Sequence, residues 1–443
     1  MLTYNTMRDT ILILKKRFAM NKCINWNGLP CILTDVLGEE KAVVFTNING
    51  DLVACEMDSC DINNPSMYDE MKENGGFDCL YKTMPIQDEF TLVLSLTERC
   101  NAGCKYCFLD AQTTGNVMED DIMYKALQFV FDRYPDRLIN IAAFGGEPST
   151  EPEKVYKMVD YSKKARKGKM AFSITTNGYF DDDFCEFLIK NEFRVSLSMD
   201  GIPDVQEVQR PSAVSVKQLE KNIKKIAASG GEFKVRCTVT EYSVKYMLDT
   251  VKYLGNLGVK RIHFEPVTPG GRAAVGTEYT RQPKEEVFVK SLFECIDYGS
   301  ENDIDVICFP YMNMLMAPMV FCDGNINNRL VVGATGVLST CVEVQNKQHM
   351  LFPALGVGYF DAEKGKIVLE YEHRRPMCRG CSDLVKNEDC LKCAFKFFCA
   401  GGCPTRNYRG SDSTEIISNY RCNIMKMVMP SILEKYYIST YGL

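Results

Sequence analysis

Hydrophobic and polar positions along this chain change rhythm twice. Between about residues 91 and 300, short β-rich runs alternate with longer runs whose apolar residues recur three and four apart. The β-rich runs are TLVLSL (91–96), NIAAFG (140–145), AFSITTN (171–177), RVSLSMD (194–200), FKVRCTV (233–239) and RIHFEPV (261–267). Between them EDDIMYKALQFVFDRY, SVKQLEKNIKKIAASG and SVKYMLDTVKYLGNLG carry helical periodicity, the latter two closing on glycine. Strands that alternate with helices predict a parallel sheet joined by right-handed crossovers. Six units, fewer than the eight of a closed barrel, predict an α/β fold built on a partial (β/α)6 TIM barrel. Its functional groups belong at the C-terminal ends of the strands.

The flanks differ. In residues 1–90 the runs CILTDVL, KAVVFTN and DLVACEM surround an NGD turn and precede a short helical pattern near PSMYDEMKENGG, which predicts a small α+β module. From about residue 301 the alternation fades while cysteine, glycine and proline rise, as expected where metal ligation substitutes for a hydrophobic core. Three domains are therefore expected: 1–90, 91–300, and a cysteine-rich iron-sulfur domain over 301–443.

Composition sharpens this. The chain has 443 residues, 46% of them hydrophobic, enough for two or three cores. Its net charge of −6 is spread in both signs along the sequence, which gives no footprint for nucleic acid and no polybasic membrane anchor. The apolar run near the N-terminus is short and flanked by charge, without a cleavage pattern, so a cytoplasmic protein with no membrane partner is expected. Twenty-one cysteines in a reducing compartment then argue for metal rather than disulfides.

The tightest group is CNAGCKYC, where Cys100, Cys104 and Cys107 follow the first barrel strand. Their thiolates suit iron or zinc. Three ligands leave one position open, as a catalytic metal site requires; a structural zinc site completed by a remote residue is the alternative.

Cys-x3-Cys-x-aromatic-Cys after the first of six β/α strands resembles the radical S-adenosylmethionine (SAM) superfamily. The resemblance implies a 4Fe-4S cluster on Cys100, Cys104 and Cys107 whose unique iron is chelated by SAM. Tyr106 would then lie against the adenine through its backbone, or be an ordinary core aromatic. Further family marks fall at successive strand ends. In FGGEP, Gly145 and Gly146 would let backbone approach a ligand, and Glu147, before Pro148, would meet the SAM ammonium. TTNG (Thr176, Asn177, Gly178) and SMDG (Ser198, Met199, Asp200, Gly201) would line the nucleoside and substrate pocket, with Asn177 and Ser198 toward the ribose. Asp200 reads equally as a helix or turn cap. Arg210 and Arg236 are candidates for the SAM carboxylate, since a guanidinium fork matches that group. His263 and Glu265 point toward the same mouth, although His263 reads more simply as a satisfied buried histidine.

Toward the C-terminus Cys322, Gly336 and Cys341 precede Cys390-x2-Cys393-x5-Cys399-x3-Cys403 and then Cys422. This series resembles the SPASM extension of radical SAM enzymes, so the resemblance covers the chain from about residue 91 onward. By it, Cys322, Cys341 and Cys403 would hold auxiliary cluster I, while Cys390, Cys393, Cys399 and Cys422 would hold auxiliary cluster II, making three 4Fe-4S clusters with the SAM-binding one. Where some relatives supply a fourth ligand to cluster I this chain has Met316, so that site is open or closed by Cys308. Cys378 and Cys381 form an extra pair, as stray ligands or free thiols. The remaining cysteines, among them Cys185, Cys237 and Cys295, read as buried small hydrophobes.

The implied function is a radical SAM oxidoreductase that modifies a ribosomally made precursor peptide (a RiPP maturase), most simply by an intramolecular thioether, carbon–carbon or ether crosslink. Residues 1–90 would recognise a leader peptide by strand addition, and a flavodoxin or ferredoxin would supply electrons. An anaerobic sulfatase-maturing, formylglycine-generating enzyme is the alternative. A non-catalytic iron-sulfur electron carrier is the alternative of another class.

Overall fold

The computed structural model describes residues 23–26, 29–36, 39–48, 51–58, 89–310, 328–370, 388–391, 393–399, 401–403, 405–407 and 419–441. The chain forms two compact units. One comprises residues 1–85, 308–322 and 378–443, and the other residues 86–307 and 323–377.

In the first unit, strands β1 (Cys23–Trp26), β2 (Leu29–Val36), β3 (Glu39–Ile48) and β4 (Asp51–Asp58) form an antiparallel sheet in chain order. Three of them are the alternating runs read from the sequence. The fourth, β1, is too short for its alternation to stand out. The helical pattern near PSMYDEMKENGG lies outside the described residues.

The second unit holds all six barrel strands: β5 (Glu89–Thr97), β6 (Leu138–Gly145), β7 (Met170–Thr176), β8 (Arg194–Ser198), β9 (Phe233–Val239) and β10 (Arg261–Pro266). Each pairs in parallel with the next. Helices α1 (Asp120–Arg133), α2 (Pro152–Ala165), α3 (Asp182–Lys190), α4 (Pro203–Gln209), α5 (Val216–Ala228), α6 (Met247–Asn256) and α7 (Glu285–Glu301) complete the crossovers. Polar caps set two of the helix starts: the Asp181 side chain accepts from the Phe184 N–H and the Ser215 side chain from the Lys217 N–H.

The sheet continues past residue 300 at both edges. Strand β11 (Asp305–Ile307) pairs in parallel with β10, and β12 (Arg329–Val332) pairs in parallel with β5 on the side away from β6. From β12 the sheet turns antiparallel through β13 (Val337–Ser339), β14 (Gly356–Asp361) and β15 (Lys366–Leu369). The strand that feeds the first cysteine loop is thus an interior strand.

Burial alternates along β6, β7, β8 and β9, while in β10 the apolar Ile262 and Phe264 alternate with the polar but also buried His263 and Glu265. Val195 and Leu197, Val235, Cys237 and Val239, and Ile262 and Phe264 are all but inaccessible, and α5 places Leu219 in the same layer as Leu197 beside Gly178. The alternate positions, Ser196, Ser198, Lys234, Arg236, Thr238, His263 and Glu265, take the opposite face and form a polar inner wall. Each large apolar residue buried in the outer layer stabilises the fold by roughly 1.5–3 kcal/mol, while the buried His263 and Glu265 of the inner wall carry a desolvation cost. Among the described residues no helix is long and apolar enough to cross a membrane.

Candidate active site

The loop after β5 is positioned by backbone. At the end of β6, Gly145 adopts φ +136, and a Cβ there would sit 2.2 Å from the Thr97 carbonyl oxygen. A Cβ on Gly146 would sit 2.2 Å from the Arg99 carbonyl oxygen. The Gly146 N–H donates to Thr97 O and the Glu147 N–H to Arg99 O, both at 2.7 Å. The paired glycines therefore admit the backbone that leads into Cys100, where the sequence suggested only the approach of a ligand. On the far side, the Gly103 N–H donates to Pro211 O (2.7 Å), the Lys105 N–H to Gln209 O (2.9 Å) and the Arg272 N–H to Cys107 O (3.0 Å). Gly271, at φ +52, lies against the Cys107 carbonyl.

Within this cradle Cys104 and Tyr106 join a buried patch with Ala102, Val267 and Ala273, and Cys100 and Cys107 pack against it. All three thiols are free of disulfides. Burial pushes the Cys100 thiol up to about 12 and raises that of Cys104, against the pull of the nearby Arg210 guanidinium. Among the described residues no three His, Cys, Asp or Glu side chains converge on a single ion. A 4Fe-4S cluster does not ask for that, because each thiolate takes its own iron. Three thiols on one loop, with the Ala102 N–H directed at Cys100 Sγ (3.5 Å), suit such a cluster.

Glu147 is 1% exposed. Its carboxylate accepts from Thr176 Oγ1 (2.7 Å) and the N–H groups of Asn177 (2.6 Å) and Ser149 (3.0 Å), while burial raises its pKa against those bonds. It ties the ends of β6 and β7. Asn177 carries the tie onward, donating to Asn101 Oδ1 at 2.7 Å and lying 3.8 Å from Cys100 Sγ.

Beneath the cysteine loop lies a buried polar network. Tyr106 donates its phenol to Asp200 and accepts from Arg210 Nη1 at 3.0 Å. Asp200 also accepts from Gln209 Nε2 (2.8 Å) and the Thr238 N–H (2.9 Å), and Gln206 Oε1 accepts from the Asp200 N–H (2.9 Å). Asp200 is thus the hub of this network and caps no helix, since α4 begins after Ile202 without a side-chain cap. Burial raises the pKa of Tyr106 and of Asp200, opposed by the Arg210 charge in both cases. Burial works against charge on Arg210 itself, but Cys104, Tyr106 and Asp200 hold it protonated. Arg210 Nε is buried with no hydrogen-bond partner, a donor left over for a ligand. Gln206 and Gln209, both 0% exposed, were missed in the sequence. Two glutamines three apart on the helix face that also buries Val205 were the available signal.

The other strand-end candidates form the inner wall. Ser198 stands in register with Arg236, and Arg236 with His263. His263 is buried, with Nε2 3.4 Å from Glu265, and burial lowers its pKa against that carboxylate.

In the other unit the structure gathers Cys390, Cys393, Cys399 and Cys422 near one another. Burial first, then the mutual presence of these thiols, pushes Cys390 up to about 11 and Cys399 up to about 12. Cys422 lies on α8 (Asn419–Tyr441) and Cys399 ends a short helical turn. Cys403 belongs to this unit, while Cys341 follows β13 in the barrel unit. Cys308 is 1% exposed just past β11. Cys322, Met316, Cys378 and Cys381 lie outside the described residues. Cys185, Cys237 and Cys295 are buried, as read from the sequence.

Residues 94–271 match the Radical SAM superfamily. The matched segment spans the partial barrel and its cysteine loop, so the chain carries a Radical SAM domain, the domain of a superfamily of enzymes that use SAM and a 4Fe-4S cluster. A serine-type anaerobic sulfatase-maturating enzyme of Bacteroides thetaiotaomicron is 22% identical over 364 residues, 75% of this chain and 86% of that protein. The solved structure of native anSMEcpe with bound AdoMet superposes with a TM-score of 0.63 at 20% identity, over 80% of this chain and 100% of that one. Streptococcus suis SuiB bound to precursor peptide SuiA superposes with a TM-score of 0.51 at 13% identity, over 90% and 99%. At these identities the superpositions establish the fold.

Proposed function

We propose that this enzyme matures a ribosomally made precursor peptide, oxidising it with loss of two hydrogens to form an intramolecular crosslink. The observation that carries the reading is the four-stranded antiparallel sheet over residues 23–58, ahead of the radical SAM domain. Its strand β4 pairs with β3, and among the described strands with no other, leaving an edge suited to a leader peptide. The solved complex of SuiB with its precursor peptide supports it, because that superposition reaches 90% of this chain.

Cys100, Cys104 and Cys107 would hold the SAM-binding cluster. When bound and reduced, that cluster supplies the electron that cleaves SAM to a 5'-deoxyadenosyl radical. The chain's own part is to position and to exclude water. Arg210, anchored by Tyr106, would take the SAM carboxylate with its unused donors, and Asp200 would hold Tyr106 and Gln209 in place. Glu147 and Asn177 would fix the loop and reach the SAM ammonium and ribose, with Ser198 beside them. Cys390, Cys393, Cys399 and Cys422 would hold an auxiliary cluster, an acceptor of the substrate electron.

The test is anaerobic reconstitution, reduction with dithionite and detection of 5'-deoxyadenosine, followed by co-expression with short peptides encoded beside the gene. A peptide lighter by two hydrogens supports the reading. Sulfatase maturation is the second reading, favoured by the likeness to the Bacteroides enzyme. Formylglycine on a co-expressed sulfatase, with every peptide unchanged, would establish it instead.

A further inference from the structure

Two carboxylates at the barrel mouth are committed to holding the chain. Glu147 accepts three hydrogen bonds, and Asp200 accepts from Tyr106, Gln209 and the Thr238 N–H. His263 and Glu265 stand two residues apart on one face of β10, 9% and 8% exposed, with the imidazole Nε2 3.4 Å from Glu265 Oε2. Nε2 is buried and makes no hydrogen bond at that distance. The 11% of the His263 side chain that stays accessible therefore belongs to the remainder of the ring, where Nδ1 is the other nitrogen.

The pair stands at the level of the site. His263 is in register with Arg236, and Arg236 with Ser198, the last residue of β8. Glu265 is in register with Thr238, whose N–H binds Asp200, and Asp200 in turn holds Tyr106 of the cysteine loop. One strand spacing, about 4.8 Å, separates the backbone of Glu265 from that of Thr238.

A carboxylate behind one ring nitrogen selects a tautomer, with the proton on Nε2 and the lone pair on Nδ1. When Nδ1 takes up a second proton, the ring becomes a cation beside an anion, and the 3.4 Å contact tightens into a charge-assisted bond. Burial lowers the His263 pKa, Glu265 opposes it, and Arg236 and Lys234 on β9 lower it further. On the other flank the neighbour in register is Ile307 of β11, which carries no charge. The ring is therefore neutral and ready to accept near pH 7.

We propose that His263 is the base of the oxidation and that Glu265 orients it. This rests on the reading of a polypeptide that loses two hydrogens, and deepens it by assigning the proton. One hydrogen leaves the substrate carbon as an atom and ends in 5'-deoxyadenosine. The other leaves as a proton, from the atom to which that carbon becomes bonded, and goes to His263 Nδ1. The remaining electron passes to an oxidised iron-sulfur cluster, so charge balances.

The experiment uses SAM-loaded, cluster-replete protein and the polypeptide that loses two hydrogens on co-expression, whether a short peptide or a sulfatase. His263→Gln should keep 5'-deoxyadenosine formation within about threefold of the wild type and lower the modified polypeptide at least about a hundredfold. Glu265→Gln should move the acid limb of product formation to lower pH, because the ring loses the carboxylate that raises its pKa. Undiminished product in His263→Gln overturns the proposal, as does an equal loss of 5'-deoxyadenosine, which marks a structural role, or an acid limb that does not move. A second measurement needs no substrate. The chain has three histidines, so NMR of histidine-labelled protein identifies His263 by its disappearance in His263→Gln. A neutral ring with its proton on Nε2 is expected near pH 7; a charged ring, or a proton on Nδ1, overturns the proposal even where no polypeptide is modified. SAM cleaved with every polypeptide unchanged refutes the peptide reading alone.

Discussion

Replacing Gly146 by alanine tests how the cysteine loop is held. The new Cβ would meet the Arg99 carbonyl oxygen at 2.2 Å and the Glu98 carbonyl oxygen at 2.6 Å, both backbone atoms that no rotamer change can move. Relief requires a shift of roughly 1 Å in the segment that enters Cys100, at a cost of about 1–3 kcal/mol for overpacking. The same shift stretches the 2.7 Å bonds from Gly146 to Thr97 and from Glu147 to Arg99, worth about 1 kcal/mol each. The sum, about 3–5 kcal/mol, should lower the barrel's melting midpoint by about 6–20 °C. It should also loosen the SAM-binding cluster, read as iron and sulfide content and as SAM cleavage after anaerobic reconstitution. Gly103→Ala is the control in the same loop. Its Cβ would meet Pro211 at 3.5 Å, an ordinary contact, so stability should stay within about 1 kcal/mol of the wild type. A Gly146→Ala protein that melts and loads iron like the wild type would refute this account of the paired glycines.

Tyr106→Phe removes the donor to Asp200 and the acceptor for Arg210. It should cost about 1–3 kcal/mol and raise the KM for SAM more than it lowers kcat; an unchanged KM would detach Arg210 from the cofactor. Burial pushes Cys295 up to about 12 and Cys185 up to about 11. Both should resist iodoacetamide near pH 8 until the chain unfolds, with the thiolate of Cys295 about a thousandfold scarcer than in an ordinary thiol; rapid native labelling in a mass-spectrometric footprint would contradict this. Because these folded pKa values are raised, the stability they contribute is complete below about pH 9 and is lost as pH climbs toward about 12, so Cys295→Ala should flatten the alkaline arm of a pH–melting curve. Alanine at both Cys399 and Cys422 should strip iron from the site of Cys390, Cys393, Cys399 and Cys422 and leave the SAM-binding cluster loaded; loss of both together would mean that the sites are not separate.

The six barrel strands were legible because each alternates over five residues or more, and because helices with clear periodicity separate them. The C-terminal cysteines stood out by their close spacing, and the structure places Cys390, Cys393, Cys399 and Cys422 near one another. What escaped was set by tertiary context. Strand β12 has four residues, RLVV, and nothing in them announces a parallel partner as distant in sequence as β5. Gln206 and Gln209 are polar where the helix period calls for apolar side chains, and only the fold shows that Asp200 waits beside them. The glycines of FGGEP were read for their freedom near a ligand, whereas their hydrogens face the chain's own backbone.

The pairing of Thr91 with Arg329 also bears on how the protein is made. During synthesis β5 emerges early, acquires β6 within a few seconds' worth of translation, and then keeps a bare flank until β12 leaves the ribosome much later. Iron delivered to Cys100, Cys104 and Cys107 before that moment would land on a loop whose supporting strand is half zipped. Assembly factors should therefore act on the completed chain, and a nascent chain arrested before residue 329 should be unable to retain the SAM-binding cluster.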